Sequence, residues 1–539
     1  MEYKSPLEEQ TAKKIKKKWE TMQTMSSMWK SHWDEVAKYV IPLKNNIYGY
    51  RVDGEKKGQY LFDTYAIHAM ELLASALHGM LTNPASVWFG LLTEEDELNK
   101  KDNVQKYLQT CTTKMIDVLN ASNFQTEVHE YFIDLVGFGT GTLNIEEDDK
   151  DVVRFRSAPI YDFGIEEDHR GQVETIYYRY EMSIMQIAEK FGTEKFSYNM
   201  NEDLKNAPEK KLFILHAVEP ISEYKNYHKN LSSFAYASFH VLENECVILK
   251  ESGYFSHPFI VPRWTKLSGE VYGRSPAMKS LADIKMVNEM KRTTIEAAQL
   301  SIAPPMLIPD DGVMLPFKMT PRSQNFYRAG SKDEVKPLNT GVNVNIGEVI
   351  IEQTHKIIDK AFFIDQLKIH EADRMTATEI IQRRDEQLRT LGPILGRQHH
   401  EFLKPLVERI FDIMSRKGLL PAPPQELRGK SIKVKYTSQI AKAQQAAEGD
   451  QVVKAFQLIS PFLQLDPTVI DNIDLDELVR FSSNIYGVPH EILRDQTDVK
   501  ALREGRQQAN QQMAQQQQAL NQSQVAMNMN KAGQLGTPG

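Results

Sequence analysis

Residues 276–302 read PAMKSLADIKMVNEMKRTTIEAAQLSI and residues 346–369 read IGEVIIEQTHKIIDKAFFIDQLKI, two amphipathic segments of similar length on either side of a Pro- and Gly-containing insert. In the first, Met278, Leu281, Ile284, Met286, Val287, Met290, Ile295 and Ala298 recur at helical spacing, while Lys285, Glu289, Lys291, Arg292 and Glu296 fall on the other faces. The second sets Val349, Ile350, Ile357, Ile358, Ala361, Phe362 and Leu367 against Glu348, Glu352, Lys356, Asp359, Lys360 and Lys368. Ser275 is placed to cap the first helix, Pro276 suits its first position, and Ala303-Pro304-Pro305 ends it. At 1.5 Å rise per residue each rod reaches about 35 to 40 Å. Two such rods joined by a small tip predict a projecting stalk, a shape that suits assembly into a ring. Neither is apolar enough to span a membrane.

The chain has 539 residues and a formal net charge of −7. That length predicts several cores, and the charge argues against wrapping of duplex DNA through many phosphate contacts. A passage through which DNA slides should avoid tight phosphate binding, so an acidic chain still suits that role. Cys111 and Cys246 are too few for a disulfide scaffold or a Cys-based zinc site, which points to a reducing compartment. The lysines at 13, 14 and 16–18 are not followed by an apolar signal core. They read better as a solvated helix face than as a nucleic-acid site.

Outward from the rods, the first third reads as helical. Leu7 to Val40 carries Met22, Trp29, Trp33, Val36 and Val40 on one face, closed by Pro42, and Tyr48 to Tyr60 is a loop. Asp63 is expected to cap a helix that Asn83-Pro84 ends, and further helices are expected over Asn103 to Asn120 and Val128 to Val136, the latter stopped by Gly137. The period then changes to two. Strands are predicted near 142–145, 152–156, 160–165, 173–180, 212–218, 235–242, 246–252 and 259–263, with acidic turns at Glu146 to Asp149 and Glu166 to Gly171. This is a mainly helical α+β pattern.

Beyond the second rod, Thr376-x-x-Glu379 is a capping box, so residues 370–375 are expected to interrupt the helix. Further helices are expected up to Gly392-Pro393 and over Leu395 to Met414 with an interruption at Pro405. A linker follows at Pro421 to Pro424, then a strand at Ile432 to Tyr436 and helices over Gln439 to Leu465 and Leu475 to Phe481. From Arg506 to Asn530 the Gln-rich composition, with no core stripe, predicts mobility unless assembly orders it as helix.

The search for chemistry returns no catalytic grouping and no cofactor motif. Gly137 to Gly141 lacks dinucleotide-fingerprint spacing, and no Walker A sequence occurs. His399-His400-Glu401 and His490-Glu491 do not complete a zinc pattern. The acidic clusters at 146–151 and 166–168 leave a metal-dependent DNA-processing enzyme as the alternative reading, and a structural adaptor is another.

The stretches WKSHWDEVAKYVIP (29–42), LTNPASVWF (81–89), DLVGFGTGTL (134–143), ESGY (251–254), EVYGRSP (270–276), Ala303 to Pro305 and MTATEI (375–380), in this order and spacing, resemble the podovirus head-to-tail connector, or portal, proteins of the T7-like kind. The resemblance covers nearly the whole chain except its tail. It implies a homododecameric ring at one capsid vertex, not an enzyme, through which double-stranded DNA is packaged and ejected. It further implies no cofactor and no membrane partner. Implied partners are the major capsid and scaffolding proteins, the terminase and tail adaptors, with assembly in the host cytoplasm.

Mapped onto the sequence, residues 1–274 and 376–424 look like the wing, 275–302 and 346–369 like the stem, 303–345 like the clip and 370–375 like the channel loop. Residues 425–505 look like the crown and 506–539 like a low-complexity tail. His370, Asp373 and Arg374 are the channel-loop candidates, with Arg374 either facing DNA or pairing with a neighbouring carboxylate. Arg322, Arg328, Lys332, Lys336, Lys356, Lys360 and Lys368 are candidates to guide phosphates.

Overall fold

The computed structural model describes residues 6–48, 54–99, 101–224, 231–307, 336–337, 344–367, 390–427, 432–436 and 496–534, with 429 and scattered positions between 452 and 494. The chain divides into two compact units, Met1–Phe89 with Thr113–Leu420, and Gly90–Thr112 with Pro421–Gly539. The linker predicted at Pro421 to Pro424 begins at the last of the three boundaries.

The elements, in chain order, begin with α1 (Pro6–Met25), α2 (Ser27–Tyr39), α3 (Tyr65–Leu81), β1 (Phe89–Thr93), α4 (Asp96–Asn99), α5 (Asp102–Ala121) and α6 (Phe124–Phe138). A β-rich stretch follows: β2 (Leu143–Asp148), β3 (Val152–Ser157), β4 (Phe163–Glu167), β5 (Val173–Ser183), α7 (Ile184–Phe191), α8 (Tyr198–Asn206), β6 (Lys211–Pro220), β7 (Tyr236–Leu242), β8 (Val247–Tyr254) and β9 (Phe259–Ile260). Next come α9 (Pro276–Lys279), α10 (Leu281–Ile302), β10 (Met306–Leu307), β11 (Lys336–Pro337), α11 (Val344–Ala361), α12 (Ile364–Leu367) and α13 (Lys404–Arg416). In the second unit β12 (Ile432–Tyr436) pairs with β1, and α14 (Gln496–Gln534) ends the described chain. The fold is mainly helical with antiparallel sheets, as the periodicities predict.

Within the first unit, β4-β5-β6-β7-β8 form one antiparallel sheet and β3-β2-β9 another. Strand alternation gives the larger sheet two apolar faces. Ile15, Trp19 and Met22 of α1 cover Tyr177, Leu215, Phe239 and Val241, while Ile184, Ile187 and Met200 of α7 and α8 cover Leu212, Ile214 and Leu242. The lysines of α1 serve this packing. Lys14 lies over the Tyr224 ring, Lys16 donates to Glu243 O, and Lys18 pairs with Glu166 and with the fully buried Glu219.

Several predicted boundaries move, each for a local reason. The first long helix is two, broken at buried Ser26, and the segment 276–302 is likewise broken at Ser280, whose hydroxyl donates to Pro276 O. The segment 346–369 is not one rod. It stops at Ala361, because Phe362 is fully buried and Phe363, against Trp264, takes a left-handed conformation (φ 59°). Gly139, not Gly137, ends α6, in the left-handed cap that glycine favours. Residues 390–398 are helical across the predicted stop at Gly392-Pro393, and a π turn at His399–Leu403 leads into α13, where Pro405 sits in the first turn. Helices α7 and α8 were not anticipated; each starts at a serine cap, Ser183 and Ser197. The Gln-rich stretch is helical within α14, because Gln, Ala and Met are good helix formers and neither Gly nor Pro interrupts 506–530. The helices expected at 376–389 and 439–465 lie wholly or mostly outside the described residues.

Buried Asp134 of α6 accepts from Lys44 Nζ at 2.6 Å, and Glu130 flanks the same ammonium at 3.2 Å. Removing one partner of a buried pair strands the other charge. Lys44→Met is expected to lower the unfolding free energy by about 3 kcal/mol in urea denaturation. Adding Asp134→Asn should recover part of the loss.

Candidate functional site

Two of the short stretches singled out in the sequence, 134–143 and 270–276, meet backbone to backbone where the helix pair begins. Gly139 and Gly273 cross so closely that a Cβ on either would overlap the other's carbonyl. Around the crossing, Trp264 N donates to Gly139 O at 2.8 Å and Gly273 N to Thr140 Oγ1 at 2.8 Å. Ser275 Oγ accepts from Met278 N at 2.9 Å, as predicted for the cap, and donates to Gly137 O at 2.7 Å. One serine thus closes α6 and opens α9.

A third stretch completes this root. Trp33 meets Tyr272 edge-on at 5.1 Å and donates its Nε1–H to Phe138 O, while Trp29 carries the Arg274 guanidinium on its ring at 5.1 Å. Burial pushes the Tyr272 hydroxyl up to about 12.

A second set of contacts clamps both long helices to the segment before α3. Asn288 of α10 is buried; its Oδ1 accepts from Phe62 N at 2.7 Å and Asp63 N at 3.2 Å, and its Nδ2 donates to Tyr60 O. Asp63 accepts from Tyr65 N at 2.9 Å, holding the start of α3, and its other oxygen meets His355 Nε2 of α11 at 3.0 Å. The His355 ring stacks on Tyr65 at 4.0 Å, and Tyr65 donates to Asp359 at 2.7 Å. Burial and the Asp359 carboxylate push the Tyr65 hydroxyl up.

Past this clamp the pair leaves the body of its unit. The buried residues of α10 end at Asn288, and on α11 residues 346–350 are not buried whereas Ile351, Thr354, Ile358 and Asp359 are. The helices cross closely where Gly347 faces Thr294, since a Cβ at 347 would lie 2.7 Å from Thr294 Oγ1. Beyond them, Leu307 pairs with Lys336 and Met306 with Pro337, bringing the ends of the insert together. Exposed apolar side chains line the pair: Ile295, Leu300 and Ile302 on α10, Ile346, Val349 and Ile357 on α11.

The predicted phosphate-guiding residues divide accordingly. Lys356 and Lys360 are exposed on α11, with Lys356 paired to Glu352 at 3.1 Å, and Lys336 is placed by its backbone pairing with Leu307. Arg322, Arg328, Lys332, Lys368, His370, Asp373 and Arg374 lie outside the described residues. The acidic turns are engaged: Glu147 with Arg416 at 2.7 Å, Glu167 with Arg263 and Lys266. No group of three or more His, Cys, Asp or Glu fit to hold a metal occurs among the described residues. No described helix is long and apolar enough to cross a membrane. The sequence reading missed the clamp, though a polar Asn288 beside Ile284 and Val287 on the apolar stripe was its signal.

A family model described as bacteriophage head to tail connecting protein matches residues 12–493. The chain belongs to this family. Its similar relatives include a probable portal protein of Bordetella phage BPP-1, 29% identical over 95% of this chain and 94% of its own. The portal protein of Salmonella phage epsilon15 is 27% identical over 89% and 88%, and that of Enterobacteria phage T3 21% identical over 81% and 80%. The likeness to podovirus head-to-tail connectors read from the sequence therefore holds, and the connector is a structural protein of the virion rather than an enzyme.

Gly273→Ala in this connector is expected to cost about 3 kcal/mol or more in chemical denaturation, because two backbones must separate. Asn288→Ala should cost about 1 to 3 kcal/mol through unpaired buried amides, read as a lower melting temperature.

Proposed function

We propose that the connector is the portal of its phage: twelve copies form a ring at one capsid vertex, and double-stranded DNA passes through the centre during packaging and ejection. The observation that carries this reading is the antiparallel pair α10 and α11, rooted in the body but unburied along its far half. Exposed Ile295, Leu300, Ile302, Ile346, Val349 and Ile357 on such a pair call for cover, and neighbouring copies in a closed ring supply it. In this reading the pair is the stem, residues 303–345 the clip that docks the terminase and later the tail, residues 1–274 and 376–424 the wing, 425–505 the crown and 506–539 the tail segment. Capsid and scaffolding proteins surround the ring, which assembles in the host cytoplasm.

The chain's charge fits a conduit. A net charge of −7 and cations already committed to carboxylates, such as Arg292 between Glu289 and Glu296, keep phosphate binding weak. DNA is then held by shape and repeated light contacts, with Arg374 of the channel loop and exposed Lys356 and Lys360 as guides.

Native mass spectrometry with negative-stain imaging tests the ring. The expected species is about 740 kDa, twelve times the 61.8 kDa of one chain, with a central hole. A stable monomer or dimer across salt conditions would overturn the reading. Removing residues 308–335, between the paired strands β10 and β11, should spare the ring and stop packaging. Arg374→Ala should leave assembly intact and change DNA retention; unchanged retention removes it from the channel.

A further inference from the structure

The two sheets of the first unit meet around three histidines that the connector role does not use, two of them buried and the third, His257, half-buried. His216 of β6 and His240 of β7 are directly paired across the strands, and their rings stack at 4.0 Å with an interplanar angle of 18°. His257 lies in the turn between β8 and β9. Phe259 of β9 belongs to the smaller sheet and joins the cluster, 5.3 Å from His216 and 6.3 Å from His257. Phe191 of α7 contacts His240 at 5.1 Å, and Tyr236 meets His257 edge-on at 4.8 Å.

The hydrogen bonding suits neutral rings. His216 Nε2 is 2.9 Å from Ser238 Oγ and His257 Nδ1 is 2.7 Å from Phe259 O, with the Glu174 backbone also beside His257, yet His240 Nδ1 is buried without a hydrogen-bond partner. An orphaned buried nitrogen costs stability, and a charged one would cost more. The charged groups facing the cluster are Glu146 from β2, Lys190 from α7, Lys250 from β8 and Arg409 from α13, with Tyr254 beside them. Three of these are cations, so the surroundings oppose a second proton. Glu146, bonded to Asn144 Nδ2 at 3.0 Å, is the carboxylate that favours one on His216.

We propose that this junction is an acid-sensitive latch: neutral histidines hold the two sheets together, and protonation of the stacked pair drives them apart. Burial pushes His216 and His257 down to about 4 and His240 well below its ordinary value. The folded form therefore refuses protons that the unfolded form accepts below pH ~6.5, so stability is complete above that pH and is lost as pH falls from 6.5 through 4. At pH 5 each histidine with a folded value near 4 shifts the opening equilibrium by about thirtyfold.

Hydrogen exchange of the intact chain at pH 7.5 and 5.0, corrected for the intrinsic rate, reads the latch. Protection over 211–220, 236–242 and 255–260 is expected to fall by about tenfold or more at pH 5.0, while that over 276–302 changes less. His240→Phe keeps a ring and removes the titration, and should shrink the pH difference; if that variant does not fold, His216→Gln, at the other ring of the stacked pair, reads the same effect. An unchanged pH difference in the folded variant, or a loss of protection spread evenly over the unit, would overturn the latch.

Discussion

The crossing of Gly139 over Gly273 is the constraint on which the rest of the connector depends. Two backbones approach so closely that neither position admits a Cβ, and the contact joins the end of α6 to the start of the long helices. Ser275 completes it with one hydroxyl that serves two helix ends. Because α6 is packed deep in the body, through Phe124, Val128, Phe132 and Leu135, the direction of the first long helix is inherited from the core rather than chosen by its own sequence. The aromatic group of Trp29, Trp33 and Tyr272 then excludes water from the joint.

A root alone would leave two helices free to pivot. The clamp at Asn288, Asp63, Tyr65, His355 and Asp359 supplies a second fixed point for both of them. It is polar, and each polar atom it buries is spent on a specific partner, so it sets register more than it adds net stability. Gly347 brings the helices together, and beyond it no side chain of the described body covers the pair. In the proposed ring, this rooted and unburied hairpin supplies the shared wall.

Electrostatics repeat the same pattern. Three lysines of α1, part of a cluster that reads in sequence as a solvated helix face, hold that helix to the sheet through Glu166, Glu219, Glu243 and Tyr224. Buried Arg263 ties the turn after β4 to the segment leading into α13 through Glu167 and Glu401. Among the described residues, these charges that look like ligands for DNA or metal are structural pairs.

The sequence by itself determined most of the element types, though not α7 and α8, together with the alternation of strands, the serine cap at 275, the stop at 303–305 and the linker at 421–424. These follow from periodicity and from residues whose preference is local and strong, Ser, Pro and Gly. It also carried the family, and three of the stretches that identify it, 29–42, 134–143 and 270–276, pack against one another at the root. Tertiary structure alone decided where the long helices break: Phe363 is no helix breaker, and only the burial of Phe362 and contact with Trp264 turn the chain there. It likewise decided the clamp and the histidine junction, since Asp63 and His355, or His216 and His257, come together only once the fold is made. Contacts between residues far apart in the chain leave no periodic trace, and that is the physical reason they could not be read in advance.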